Sequence, residues 1–166
     1  MKRITLVTIL ILFSLLANSQ EKKLIYIPTL NGMKQIDEAV TKAKDDNKNV
    51  LVQVGGNWCP WCFKFNNFCK DVPQIDSIIK SSYVLIHLNY SKENRNYDAL
   101  ERLGFPQRFG FPVLVVLNSK GERLHTQDSG LLEKEKGYDT LKVATFLNNW
   151  TPQIFNKERY IVNENK

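Results

Sequence analysis

The stretch from Asn57 to Cys69 (NWCPWCFKFNNFC) contains side chains whose types and spacing could carry out chemistry. Cys59 and Cys62 are three positions apart, a spacing that puts them on one face of a helix and within disulfide reach. A cysteine at a helix start is favoured as a thiolate, and one a turn further in is more sheltered. An exposed nucleophile, Cys59, and a sheltered resolving thiol, Cys62, are what thiol–disulfide exchange requires.

Two other uses of this pair compete with exchange. The spacing also serves zinc, but a closed structural zinc site needs four ligands, and a second CxxC is lacking. The remaining candidate ligands are Cys69, His87 and His125. A disulfide that only stabilises the fold is the other alternative, although three cysteines are few and odd in number for a disulfide scaffold. Exchange is favoured, and neither a metal nor an organic cofactor is expected.

The third cysteine is expected to be separate from the pair. Along a helix, the seven positions from Cys62 to Cys69 correspond to roughly 10 Å of rise, which is beyond disulfide reach. Seven positions are also nearly two turns, so Cys69 shares a face with Cys62. A buried free thiol is the favoured interpretation, because cysteine behaves as a small hydrophobe. The alternative is a helix break before Pro73 that exposes Cys69.

The elements that must position these cysteines alternate between apolar runs and segments of helical spacing. Gly55-Gly56 separates a buried strand from the cysteine segment, and Pro60 suits the first turn of a helix. The predicted order is strand Leu24–Ile27, a helix from Asn31, strand Asn49–Val54, a helix from Cys59 to Lys70, helix Gln74–Ser81, strand Tyr83–Tyr90, helix Asn94–Leu103, strand Pro112–Leu117, strand Glu122–Gln127 and helix Asp139–Trp150. This alternation predicts an α/β fold with a mixed sheet and helices on both faces.

The N-terminus has the pattern of a secretory signal peptide. Lys2 and Arg3 precede an apolar run, Ile4 to Ala17, and the small residues Ala17 and Ser19 follow. The run is shorter than the roughly 20 residues that cross a membrane. We therefore predict a cleaved signal peptide at 1–19, one domain at 20–150 and a tail at 151–166. The protein is expected to be periplasmic or secreted, without stable membrane insertion after cleavage; a retained N-terminal anchor is the alternative.

The charge of the chain argues against a nucleic-acid partner. Lysine and arginine number 23 and acidic residues 17, a net charge of +6. Loss of Lys2 and Arg3 leaves 21 against 17, or +4. The lysines are mixed with acidic residues along the chain, so no basic stripe is formed.

The order of these features resembles the thioredoxin fold, and in particular the exported bacterial thioredoxin-like proteins. The resemblance covers about residues 24–150 and rests on four features: strand 50–54, Trp58-Cys-Pro-Trp-Cys62, strand 84–88 and Gly110-Phe-Pro112. It implies a three-layer α/β/α fold and a thiol–disulfide oxidoreductase, with a protein disulfide reductase favoured. The implied partners are disulfide-containing exported proteins and a redox partner protein, and a monomer is expected.

The resemblance also assigns roles around the pair. It implies a cis peptide at Pro112 that faces the cysteines and binds the substrate backbone, with Phe111 shaping the groove. Trp58 and Trp61 are substrate-contact candidates, with simple packing as the alternative. A non-catalytic binding module that uses the groove around Trp58, Trp61 and Pro112 is the second functional hypothesis.

Four residues at three sites depart from thioredoxins proper. Gln53 stands where they have a buried Asp, and it can hydrogen-bond but cannot take a proton. His87 stands where they have Lys, and it could act as a base, although a hydrogen-bonded core histidine is favoured. Pro60-Trp61 replaces their Gly-Pro inside the motif, where the dipeptide tunes the thiolate.

Overall fold

The computed structural model describes residues 24–161, and a four-stranded mixed sheet forms its centre. The strands are β1 (Asn49–Gly55), β2 (Tyr83–Asn89), β3 (Val113–Leu117) and β4 (Arg123–Asp128). They lie in the order β2-β1-β3-β4. β1 is parallel to β2 and antiparallel to β3, and β3 is antiparallel to β4.

Helices cover both faces of this sheet. They are α1 (Gly32–Asp45), α2 (Pro60–Asp71), α3 (Pro73–Ser82), α4 (Tyr97–Arg102), α5 (Thr140–Asn149) and α6 (Glu158–Ile161). The parallel pair β1 and β2 needs a crossover connection, and α2 and α3 supply it. No helix within residues 24–161 is long and apolar enough to cross a membrane.

A separate buried cluster lies on each face of the sheet, because successive side chains of a strand point to opposite faces. Val50, Val52 and Val54 of β1 belong to the cluster that includes residues of α1 and α4. Leu51 belongs to the cluster that includes residues of α2, α3 and α5. The predicted three-layer α/β/α fold with a mixed central sheet is therefore confirmed.

Short elements complete the described part of the chain. The 3₁₀-helices are Pro106–Phe109, Ser129–Leu132 and Pro152–Phe155. A small hairpin pairs β5 (Glu133–Lys134) with β6 (Gly137–Tyr138) before α5, and the sequence pattern did not predict it. The predicted signal peptide, 1–19, lies outside the described residues, as does the end of the tail.

The predicted strand Leu24–Ile27 is wrong. The segment forms bends and no strand. Its backbone bonds to a side chain instead of a neighbouring strand, since the N–H groups of Ile25 and Tyr26 donate to Asn57 Oδ1, each at 3.2 Å. Tyr26 is fully buried nonetheless. The apolar pattern of the segment thus reflects burial of one side chain and not sheet pairing.

Candidate active site

Cys59 and Cys62 form a disulfide at the start of α2. Their Cα atoms are 5.3 Å apart, and the sulfurs are bonded. Cys59 caps the helix, and Pro60 takes the first helical position, where its missing N–H is not needed. The backbone N–H of Cys62 donates to Cys59 Sγ at 3.1 Å. Once the pair is reduced, this N–H and the helix start would stabilise a Cys59 thiolate.

Cys59 is more covered than expected, whereas Cys62 is sheltered as expected. Cys59 is 3% exposed and Cys62 is 0% exposed, so the expected exposed nucleophile is wrong for the disulfide form. The reason is packing by chain segments that are distant in sequence, since Ile25, Trp61 and Phe111 lie against the cluster of Cys59, Cys62 and Tyr26. Of the two residues, only Cys59 keeps any exposed surface in the disulfide form.

Gln53 of β1 lies next to Cys62. Its Nε2 donates to the carbonyl oxygen of Cys62 at 3.1 Å and to the Tyr26 hydroxyl oxygen at 2.7 Å. Its Oε1 is buried and has no hydrogen-bond partner among the described residues. The structure thus brings Gln53 to the cysteine pair, together with Tyr26.

Asn57, just before the motif, fixes the segment that carries Tyr26. In addition to the two N–H groups bound at its Oδ1, Asn57 Nδ2 donates to the carbonyl oxygen of Tyr26 at 2.7 Å. Sequence reasoning missed both Tyr26 and Asn57. The available signal was weak: an amide side chain after two glycines and immediately before Trp58-Cys59.

The lack of a side chain at Gly55 lets Cys62 and Tyr26 pack closely against the end of β1. A Cβ atom built on Gly55 would lie 2.5 Å from Cys62 Sγ and 2.7 Å from the Tyr26 hydroxyl oxygen. Both separations are shorter than real Cβ atoms adopt, so this end of β1 has no room for a side chain. A glycine within a strand often marks such a close approach.

His87 lies on β2, in register with Gln53. Its ring is edge-on to the ring of Tyr26, with centroids 5.5 Å apart. Burial, with a smaller effect of Lys70, lowers the pKa of His87 to about 4. His87 is therefore neutral at pH 7 and a weak base. Its Nε2 is buried without a partner in the described part of the chain, so the hydrogen bond expected of a core histidine is missing at this atom.

The exposed side of the pair carries aromatic side chains. Trp58 is 54% exposed, and its ring is edge-on to Phe111 at 5.2 Å. Phe111 is also stacked on Tyr90, and Trp58 Nε1 donates to the Tyr90 carbonyl oxygen at 2.7 Å. The Phe111–Pro112 peptide is cis, which confirms that expectation. A groove of about 150 Å³ beside Trp58 is lined by Trp58, Tyr90, Ser91, Lys92 and Arg95.

Trp61 has different neighbours from Trp58. Its ring is edge-on to Tyr138 at 5.6 Å, and Lys64 Nζ lies 4.1 Å from the ring centroid. The Tyr138 hydroxyl donates to the Trp61 carbonyl oxygen at 3.4 Å. Trp61 therefore connects the cysteine pair to the β5–β6 hairpin. Trp58, Phe111 and Tyr90 form a separate group of contacting rings, which we call the aromatic rim.

Cys69 is separate from this site. It is a buried free thiol near the end of α2, which confirms the favoured interpretation. Burial raises the pKa of Cys69 to about 12. Within residues 24–161, no group of three or more His, Cys, Asp or Glu side chains is placed to hold a metal ion.

Comparison with known proteins assigns the fold to a family. The thioredoxin-like family model matches residues 31–119, more than half of the chain. The chain belongs to the thioredoxin-like family. Its structure is similar to the crystal structure of a disulphide isomerase from Xylella fastidiosa, with a TM-score of 0.67 and 22% identity over 76% of this chain and 96% of that one.

Two curated proteins are similar to parts of the chain. The thiol:disulfide interchange protein DsbD of Vibrio cholerae is 25% identical over 104 residues, 63% of this chain and 17% of its own length. The ribosome maturation factor RimP of Prochlorococcus marinus is 32% identical over 82 residues, 49% of this chain and 51% of its own length. The chain thus spans at most about half the length of these relatives.

Proposed function

We propose that this protein is an exported thiol–disulfide oxidoreductase that exchanges disulfides through Cys59 and Cys62. The observation that carries the proposal is the bonded cysteine pair at the N-terminus of α2, in which Cys59 is the N-cap residue and Cys62 is fully buried. Membership of the thioredoxin-like family and similarity to a thiol:disulfide interchange protein support it.

In this proposal the reduced pair passes two electrons and two protons to a client disulfide. The Cys59 thiolate attacks one client sulfur, which forms a mixed disulfide and releases the other client sulfur as a thiolate. The Cys62 thiolate then attacks Cys59 Sγ, which forms the Cys59–Cys62 disulfide and breaks the bond to the client. Both client sulfurs leave as thiols after protonation. The reverse sequence oxidises a client dithiol.

Reduction of clients is the direction that we propose. Burial of both cysteines disfavours a charged thiolate relative to the uncharged disulfide. A stable disulfide makes the reduced pair a better electron donor. Equilibration of the pair with glutathione buffers tests the direction. A potential below about −200 mV supports reduction, and a potential near the roughly −120 mV of a strong protein oxidant contradicts it.

Export and partners belong to the same proposal. The apolar run Ile4 to Ala17 after Lys2 and Arg3 supports a signal peptide cleaved after Ser19. The clients are then disulfide-containing exported proteins, and a second redox protein supplies electrons to a monomeric domain. Sequencing the N-terminus of the mature protein tests export: a start at Gln20 supports the proposal, and a retained Met1 contradicts it.

Reduction of insulin disulfides by dithiothreitol, with and without the protein, tests the activity. We expect the wild type to accelerate the reduction and Cys59→Ser to abolish the acceleration, because the first bond to the client forms at Cys59 Sγ. Cys69→Ser is the matched control, since it removes a buried thiol outside the site. Equal rates for wild type and Cys59→Ser would contradict the proposal.

A non-catalytic binding module is the second candidate. The exposed Trp58 with Phe111 and Tyr90 favours it, because an aromatic rim of this kind can hold an extended partner. The same assay separates the two candidates. A binding module would leave insulin reduction unaccelerated, and its partner affinity would fall in Trp58→Ala but not in Cys59→Ser.

A further inference from the structure

The hydroxyl group of Tyr26 faces the sulfur of the resolving cysteine across Gly55. The same point, the position of a Gly55 Cβ, is 2.5 Å from Cys62 Sγ and 2.7 Å from the Tyr26 hydroxyl oxygen. These two distances place the sulfur and the oxygen within about 5 Å of each other. Tyr26, Cys59 and Cys62 also form one buried cluster.

The hydrogen bonds of Tyr26 leave its own proton available. The hydroxyl oxygen accepts from Gln53 Nε2 at 2.7 Å, so one of its lone pairs is used. Within residues 24–161 the hydroxyl proton has no acceptor in the disulfide form. A buried donor without an acceptor costs free energy, and a newly formed acceptor nearby is correspondingly favoured. Reduction of the disulfide creates such an acceptor at Cys62 Sγ.

The resolving cysteine needs a source of stabilisation. Cys62 is 0% exposed, and burial opposes formation of its thiolate. The β1 side chain beside it is the amide of Gln53, which cannot take a proton. We propose that the Tyr26 hydroxyl donates a hydrogen bond to the Cys62 thiolate and so activates Cys62 as the resolving nucleophile. This proposal rests on the proposed exchange function.

The other titratable groups near Cys62 do not replace Tyr26. They include Cys59 at the start of the same helix and His87 on β2, which meets the Tyr26 ring edge-on. Tyr138 on β6 also interacts with Tyr26, but its hydroxyl donates to the Trp61 carbonyl oxygen. His87 is neutral at pH 7, since burial and Lys70 lower its pKa to about 4. Burial raises the pKa of Tyr26 far above its ordinary value, although the bond from Gln53 opposes this. Tyr26 therefore remains protonated, as a donor must.

The step that Tyr26 assists is the second displacement. Cys62 loses its proton to solvent, and its thiolate is held by the Tyr26 O–H while it attacks Cys59 Sγ. The bond between Cys59 and the client breaks, and the client sulfur leaves with the bonding electron pair and is then protonated. The Tyr26 proton stays on Tyr26 throughout, so tyrosine acts as a hydrogen-bond donor and not as a base.

The experiment is a titration of the Cys62 thiol in protein labelled with ¹³C at the cysteine Cβ atoms. The background is Cys59→Ser, which leaves Cys62 and Cys69 as free thiols, and the signal of the buried Cys69 serves as an internal reference. We expect Tyr26→Phe to raise the midpoint of the Cys62 titration by about 1 to 2 pH units, because a hydrogen bond to a charged group is lost. An unchanged midpoint overturns the proposal.

Tyr83→Phe is the matched control. Tyr83 is also a buried tyrosine. Its hydroxyl donates to the carbonyl oxygen of Leu147, a core residue on α5, at 2.5 Å. Its removal costs a comparable hydrogen bond and should leave the Cys62 midpoint unchanged. If Tyr83→Phe moves the midpoint as far as Tyr26→Phe does, the effect is general loosening and the proposal fails.

A second measurement does not depend on folding of the Tyr26→Phe protein. In the Cys59→Ser protein with Tyr26 intact, the ¹³Cζ signal of Tyr26 should shift with the same midpoint as Cys62. A Tyr26 signal that stays constant through the Cys62 titration overturns the proposal. Neither titration requires turnover, so failure of the Tyr26 proposal is distinguishable from failure of the exchange function in the insulin assay.

Discussion

Replacement of Gly55 by alanine would place a methyl group between the Cys62 sulfur and the Tyr26 hydroxyl. The methyl carbon would lie 2.5 Å and 2.7 Å from these atoms, well inside the 3.4 Å at which ordinary contact begins. Neither neighbour can easily move. The sulfur is held in the disulfide, and the tyrosine ring is fully buried.

The size of the effect follows from two opposing terms. Forcing an extra methyl group into a filled core costs about 1 to 3 kcal/mol. Gly137 is the matched control, because a Cβ there meets nothing within 4 Å. At such an open position, replacing glycine with alanine raises the free energy of unfolding by about 0.4 to 1 kcal/mol, because alanine lowers the conformational entropy of the unfolded chain. Because this gain applies to both substitutions, it cancels in the comparison, and we expect Gly55→Ala to be less stable than Gly137→Ala by about 1 to 3 kcal/mol.

The redox state should change this difference. In the reduced protein Cys62 Sγ is free to rotate away from the methyl group, while the contact with Tyr26 remains. Relief of half the strain would return about 0.5 to 1.5 kcal/mol to the reduced form. A free energy of 1.4 kcal/mol corresponds to about tenfold in an equilibrium constant. The equilibrium constant for reduction of the Cys59–Cys62 disulfide by glutathione should therefore be up to about tenfold larger in Gly55→Ala than in the wild type.

Urea unfolding followed by circular dichroism, with and without dithiothreitol, measures both effects. Wild type, Gly55→Ala and Gly137→Ala are compared in each redox state. If oxidised Gly55→Ala is as stable as oxidised Gly137→Ala, the packing argument at Gly55 is refuted. If Gly55→Ala loses the same free energy of unfolding in both redox states, the sulfur does not contribute to the strain.

Two further predictions concern His87 and Cys69. Because the pKa of His87 is about 4 when folded and about 6.5 when unfolded, the unfolded chain binds more protons between these values. Stability should therefore fall by up to about 3 kcal/mol as the pH drops from 6.5 to 4. His87→Leu should flatten this part of the curve in urea unfolding, and an unchanged slope would contradict the assignment. For Cys69, an aromatic disulfide reagent should be consumed rapidly by two thiols of the reduced folded protein, since the adduct formed at Cys59 is resolved by Cys62. The third thiol should react only after unfolding, because burial raises the pKa of Cys69 to about 12 and leaves it as an unreactive thiol. A third fast thiol in the folded protein would contradict its burial.

The parts of the fold that the sequence predicted are those whose signals are local. The apolar runs of β1 and β3 and the helical spacing in α1 each indicate one element without reference to a partner. Leu24–Ile27 carries the same kind of local signal, yet its prediction was wrong, because the Asn57 side chain takes the backbone groups that a strand would pair. The β5–β6 hairpin has strands of two residues each, too short for a periodic pattern.

The cysteine pair and its place at a helix start could be predicted from the sequence alone. The spacing of Cys59 and Cys62 and Pro60 in the first turn fix two sulfurs at a helix start, and the distance along that helix separates Cys69. These are properties of one continuous segment, so they can be read from neighbouring residues.

The surroundings of the pair became visible only in the folded structure. Tyr26 and Gln53 are 27 positions apart, and their hydrogen bond forms because the N-terminal segment packs over the end of β1. The burial of Cys59 and the absence of room at Gly55 arise from the same packing. Solvent exposure and hydrogen-bond partners depend on segments that meet only in the folded chain. They set the chemistry of the sulfurs, whereas the sequence motif sets only their positions.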